Sequence, residues 1–101
     1  MLIRITGAGE AMLVDPEDFR RFSIRFDAGA RGSEPAEAAL ARLARPDGEA
    51  AWVCPEALRR LSPCGEDVEW RQGVARMVAF AETRGWVDQA GRVRAHIETS
   101  A

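Results

Sequence analysis

The sequence predicts a single α+β domain, in which a small N-terminal antiparallel sheet over residues 1–28 joins a unit of three helices and a C-terminal hairpin over residues 33–98. Three observations predict it. Apolar residues alternate with polar ones in Met1–Thr6 and Arg21–Asp27, the period of a half-buried strand. Three later stretches place apolar residues at helical spacing, each bracketed by Ser, Pro or Gly. And 101 residues bury one modest core, too little for two domains.

The first strand covers Met1 to Thr6, with Met1, Ile3 and Ile5 on one face and Leu2, Arg4 and Thr6 on the other. Gly7-Ala8-Gly9 turns the chain, Ala11 to Val14 returns it, and Asp15 to Asp18 makes a second turn with Pro16. Arg21 to Asp27 then directs Phe22, Ile24 and Phe26 inward. A connector at Gly29 to Ser33 follows. Ser33 caps a helix that tolerates Pro35 in its first turn and buries Ala36, Ala39, Leu40, Leu43 and Ala44, until Pro46-Asp47-Gly48 stops it. After an extended piece at Ala51 to Val53, Cys54-Pro55 opens a two-turn helix burying Ala57, Leu58 and Leu61, which Ser62 to Gly65 breaks.

The longest helix runs from about Asp67 to Arg84. A wheel puts Trp70, Gly73, Val74, Met77, Val78, Phe80 and Ala81 in one arc and Glu69, Arg71, Gln72, Arg76, Glu82 and Thr83 in the other. Gly85 suits the left-handed position after a helix, with Trp86 as the apolar contact of a Schellman motif. Trp86-Val87-Asp88 and Arg92 to Glu98 pair around Gln89-Ala90-Gly91.

The stretch from Ala81 through Gly85, Trp86 and Val87 to Arg92 and Val93 resembles the helix-to-wing junction of winged-helix domains, where a recognition helix ends in a glycine followed by apolar residues and the wing carries a basic residue. The resemblance covers about two-thirds of the chain and implies a DNA-binding regulator. Against that role, the long helix begins with Asp67 and Glu69, and the chain carries 16 acidic residues against 14 basic ones.

All 14 basic residues are Arg, and Lys, Asn and Tyr are absent while Ala is abundant, the imprint of a GC-rich coding sequence rather than of a basic function. Leu, Ile, Val and Phe together number 21, near the lower edge for a packed domain, yet a net charge of −2 with three Trp argues against disorder. No apolar run spans a bilayer and no secretory signal opens the chain, so the expected location is cytoplasmic, without a membrane partner.

No motif assigns a reaction. Cys54 stands at a helix start, where the backbone N–H groups favour a thiolate, and a nucleophile pair with His96, the one histidine, is conceivable; the plainer reading is a small buried residue beside Trp52 and Val53. Cys64, in a Pro-Cys-Gly turn, reads as exposed and oxidisable, and the two thiols as free. His96 and Glu98 share a strand face at a spacing that suits two metal ligands, but Arg92 and Arg94 share it too and repel a cation, so neither metal nor cofactor is assigned. Gly7-Ala8-Gly9 lacks the helix and the further glycines of a dinucleotide fold.

The leading expectation is therefore a non-catalytic module that binds a protein partner or a second copy of itself. For self-association the candidates are Leu2, Arg4 and Leu13, with Met1 to Thr6 as the free sheet edge. The alternative is the DNA-binding regulator, contacting phosphates through Arg59, Arg60, Arg92 and Arg94. A cysteine-dependent enzyme using Cys54 is the third.

Overall fold

The computed structural model describes residues 1–99. The class is α+β: six strands and three helices in the order β1 (Leu2–Ile5), β2 (Ala11–Val14), β3 (Ser23–Phe26), α1 (Glu34–Leu43), β4 (Ala44–Asp47), β5 (Ala50–Val53), α2 (Pro55–Leu61), α3 (Val68–Thr83) and β6 (Val93–Thr99). All six strands join one sheet, ordered β2-β1-β3-β6-β5-β4.

The alternation in the sequence fixes which side chains turn inward. Ile3 and Ile5 of β1, Ile24 and Phe26 of β3, Ala51 and Val53 of β5, and Val93, Ala95 and Ile97 of β6 are buried. Against this face pack Ala36, Ala39 and Leu40 of α1, Leu58 of α2, and Trp70, Val74 and Met77 of α3, forming one continuous core. Arg4, Arg25, Arg94 and His96 leave from the opposite face, which is open to water. The architecture is a sheet with helices on one side.

Pairing departs from expectation in two places. β1 and β2 form the antiparallel hairpin, but β3 lies parallel to β1, with Ile3 level with Ile24 and Ile5 level with Phe26. The N-terminal third is thus not a separate antiparallel sheet. The C-terminal hairpin shrinks to a single bridge between Val87 and Val93. β6 instead runs through the middle of the sheet, parallel to β3 and antiparallel to β5. Alternation specifies a strand's faces but not its neighbours, and β6, short of charge on its inner side, is claimed by the two strands that bury it on both edges.

A third departure lies at the end of α1. Ser33 caps this helix by accepting from the Ala36 amide at 3.4 Å, and its hydroxyl donates to the Gly7 carbonyl at 2.9 Å, fastening the helix start to the β1–β2 turn. Gly9 at that turn has φ +86°, and a Cβ there would sit 2.7 Å from the Pro35 carbonyl oxygen, so only glycine fits. The helix stops at Leu43 rather than at Pro46, and Ala44–Asp47 becomes an edge strand paired with β5. Pro46-Asp47-Gly48 contributes the β4–β5 turn, with Gly48 at φ +63°.

β1 is an interior strand, which corrects the expected self-association edge. Leu13 faces inward and packs against the core. Leu2 and Arg4 lie on the open face, where Arg4 donates twice to Asp27, at 2.8 and 2.9 Å. The free edges are β2 and β4. Among the described residues no helix is long and apolar enough to cross a membrane.

Candidate functional site

The end of α3 departs from its own periodicity in one residue. Trp70, Gly73, Val74, Met77 and Ala81 are buried as the wheel predicts and Val78 is half-buried, whereas Phe80, in the same arc, is 56% exposed. Its neighbour is set by the helix terminus. The Trp86 amide donates to the Ala81 carbonyl at 2.9 Å and the Gly85 amide to the Glu82 carbonyl at 3.1 Å, with Gly85 at φ +74°. This is the expected Schellman motif, and its apolar contact joins Trp86 to Phe80, ring centroids 6.4 Å apart and edge-on. Trp86 remains 44% exposed. The Arg94 amide donates to the Trp86 carbonyl at 2.8 Å, anchoring this segment to β6.

The other wall comes from the segment between β2 and β3. Trp70 donates its indole N–H to the Pro16 carbonyl at 2.7 Å, holding that segment against α3. Phe19 then lies over Gly73, where a Cβ would overlap its ring. Between the two walls is a cavity of about 220 Å³ lined by Phe19, Phe22, Met77, Phe80, Ala81, Trp86 and Val93, with Arg20, Arg94 and His96 at its rim. A second depression of about 320 Å³ shares Phe19, Arg20, Met77 and Phe80 and extends to Gly73 and Arg76. Together they form a groove along one side of α3.

Charge at the groove is one-sided. Arg20, Arg76 and Arg94 line it, and the Arg84 guanidinium sits 5.3 Å from the Phe80 ring centre and 6.0 Å from that of Trp86. Among the described residues none of these four has a carboxylate within 4.0 Å, whereas Arg4, Arg25, Arg31, Arg59, Arg71 and Arg92 all do. The chain as a whole is acidic.

Of the residues the sequence singles out, Arg94 and His96 reach the groove and the others are placed elsewhere. Arg59 is held by Glu56 at 3.1 Å and Glu66 at 3.0 Å; desolvation pulls its pKa down, but the two carboxylates more than offset this and the net shift is upward. Arg92 pairs with Asp88, whose carboxylate also caps the turn by accepting from the Ala90 and Arg92 amides. Arg60 and Arg94 carry no ion pair among the described residues, yet they project on opposite sides: Arg60 from α2, over the covered face, and Arg94 from the other face of β6, past the end of β3, where it reaches the groove. The four do not form one phosphate-binding surface.

Cys54 is exposed and Cys64 partly buried against the core, the reverse of the expected exposures, and both thiols are free. Cys54 ends up outside because it is the N-cap of α2, one step beyond the last buried residue of β5. The β5–β6 register puts Cys54 level with Arg92, four residues from His96 along the strand, about 13 Å at strand rise. That distance removes the Cys54–His96 pair. Glu98, which shares the strand face of His96, is engaged by Arg25 at 3.3 Å.

Phe19, Arg20, Arg76, Phe80, Arg84 and Trp86 were not legible as a site. One signal was available: Phe80 falls in the apolar arc at the last turn of a helix, where little chain remains to cover it. Comparison with protein-family models, curated proteins and solved structures finds no match.

Proposed function

We propose that this protein is a non-catalytic interaction module that docks a protein partner in the groove beside α3. The exposed Phe80–Trp86 pair at the mouth of an apolar cavity is the observation that supports it. A chain with only 21 large aliphatic and Phe residues leaves two large aromatics half in water, next to a cavity their neighbours line. Aromatic anchors flanked by arginine are the composition of binding hot spots. The rest of the lining is Met, Ala, Val and Phe together with Arg20, Arg94 and His96, an apolar floor with a basic margin.

A photo-reactive phenylalanine analogue installed at position 80, with a control at Arg25 on the open sheet face, tests this reading in the cells that make the protein. A discrete protein adduct from position 80 and none from position 25 is the expected result. No adduct from position 80, or the same adducts from both, overturns it.

The DNA-binding reading draws less support, because Arg59 and Arg92 are committed to carboxylates and their phosphate contacts would first have to break those pairs. A homodimer remains the second form of the binding reading. Its natural seam is β2, since Ala11–Val14 is an uncharged edge strand while β4 carries Arg45, Pro46 and Asp47.

A further inference from the structure

We infer that the occupant of the groove is an acidic amphipathic helix, whose apolar side chains fill the two depressions while its carboxylates meet the arginine rim; this rests on the groove being the docking surface. Size supports side chains as the fill. The groove is divided into depressions of about 220 and 320 Å³, each of which suits one bulky side chain. Spacing supports a helix. The groove follows α3 from Gly73 to Ala81, about 12 Å at 1.5 Å per residue, room for about two turns of a helix laid alongside, and two depressions that share Met77 and Phe80 match anchors three or four residues apart.

Charge decides the sign of the partner. Arg20 and Arg76 flank one depression and Arg94 the other, with Arg84 stacked over the aromatic pair between them. In a chain of net charge −2 that pairs six of its arginines internally among the described residues, four guanidiniums with no ion pair among those residues surround one apolar track and form a local positive field. Such a field attracts carboxylates and excludes a basic helix. The guanidinium fork also matches a carboxylate with two parallel N–H donors.

The test uses three fluorescein-labelled model helices that share Leu and Phe four residues apart on one face and differ in the flanking residues, which are Glu, Gln or Lys. Fluorescence polarisation is read against the full chain at low and physiological salt. The expected order is Glu tighter than Gln and Gln tighter than Lys, with the Glu–Gln gap on the order of tenfold because several exposed pairs, each individually weak, act together. The gap shrinks with added salt. The double variant Arg76→Glu, Arg94→Glu reverses the order. Because both arginines are exposed, its melting curve stays with the parent's. Equal affinity for all three helices, lost in Phe80→Ser, overturns the acidic-helix inference and leaves the groove as a docking surface. No binding of any helix, or binding that survives Phe80→Ser, overturns both. A random-sequence DNA duplex that displaces the Glu helix, and is itself lost in the double variant, overturns the peptide in favour of nucleic acid.

Discussion

Trp70 shows how much one side chain carries here. Its ring is 4% exposed and its indole N–H is satisfied by the Pro16 carbonyl, so a single residue joins α3, the core and the segment that forms the groove's outer wall. Trp70→Ala is expected to cost about 3–5 kcal/mol, a large share of the stability of so small a domain, read as a lowered denaturation midpoint. Gly73 is a subtler case. Alanine there gains about 1 kcal/mol of helix propensity but its Cβ overlaps the Phe19 ring, and overpacking of this kind costs roughly 1–3 kcal/mol. A net loss of about 1 kcal/mol is expected, together with displacement of Phe19 and weaker binding in the groove; an unchanged melting curve with unchanged binding contradicts it. At Asp27, hydrogen bonding to Arg4 holds the carboxyl below its ordinary value of 3.8, against a smaller opposing effect of desolvation. A depressed carboxyl stabilises the fold fully above about pH 3.8, and that contribution is lost as pH falls through the lowered value. Asp27→Asn should therefore flatten the acid limb of the stability profile below pH 3.8 and leave its slope near neutrality unchanged.

At the scale of elements, local chemistry was legible and partnership was not. Ser33, Asp67 and Gly85 mark helix ends because capping is satisfied within a few residues, and each caps as its residue type dictates. The strand alternation of residues 1–6 and 21–27 likewise gives the buried faces correctly. What alternation leaves open is the neighbour across each strand, and the self-association candidates fell there: β1 is flanked on both sides by β2 and β3, so Leu2 and Arg4 belong to an interior strand. Self-association is accordingly expected to run through β2. Sedimentation analysis over micromolar concentrations tests it: Met12→Lys should hold the mass at 11.1 kDa where the parent rises, and Arg45→Ala on β4 should change nothing. A parent chain that stays at 11.1 kDa throughout removes this form of the binding reading.

For the molecule as a whole, the position of β6 has the largest consequence. The last strand of the chain sits between β3 and β5, so the two halves of the sequence share one sheet and one core. Unfolding should be a single cooperative transition, with fluorescence and far-UV circular dichroism superimposing. A peptide of residues 1–28 should be unstructured alone, since β3 without β6 lacks a partner on one side and Ile24 and Phe26 lose their cover. A stable sheet signal from that peptide would restore the independent N-terminal unit that the alternation suggested.

The sequence by itself determined the class, where the three helices begin, the inward faces of the strands at residues 1–6 and 21–27, and the Gly85 turn that ends the long helix with Trp86 as its apolar contact. These depend on contacts within a few residues, where side-chain type and backbone geometry suffice. Only the tertiary structure decided that β3 joins β1 in parallel, that β6 is central, that Ala44–Asp47 pairs as an edge, and that Phe19 and Arg20 arrive beside Phe80, some 60 positions further along. Those outcomes depend on which distant surfaces bury one another. That is settled by the total apolar area removed from water, a quantity no local window of sequence contains.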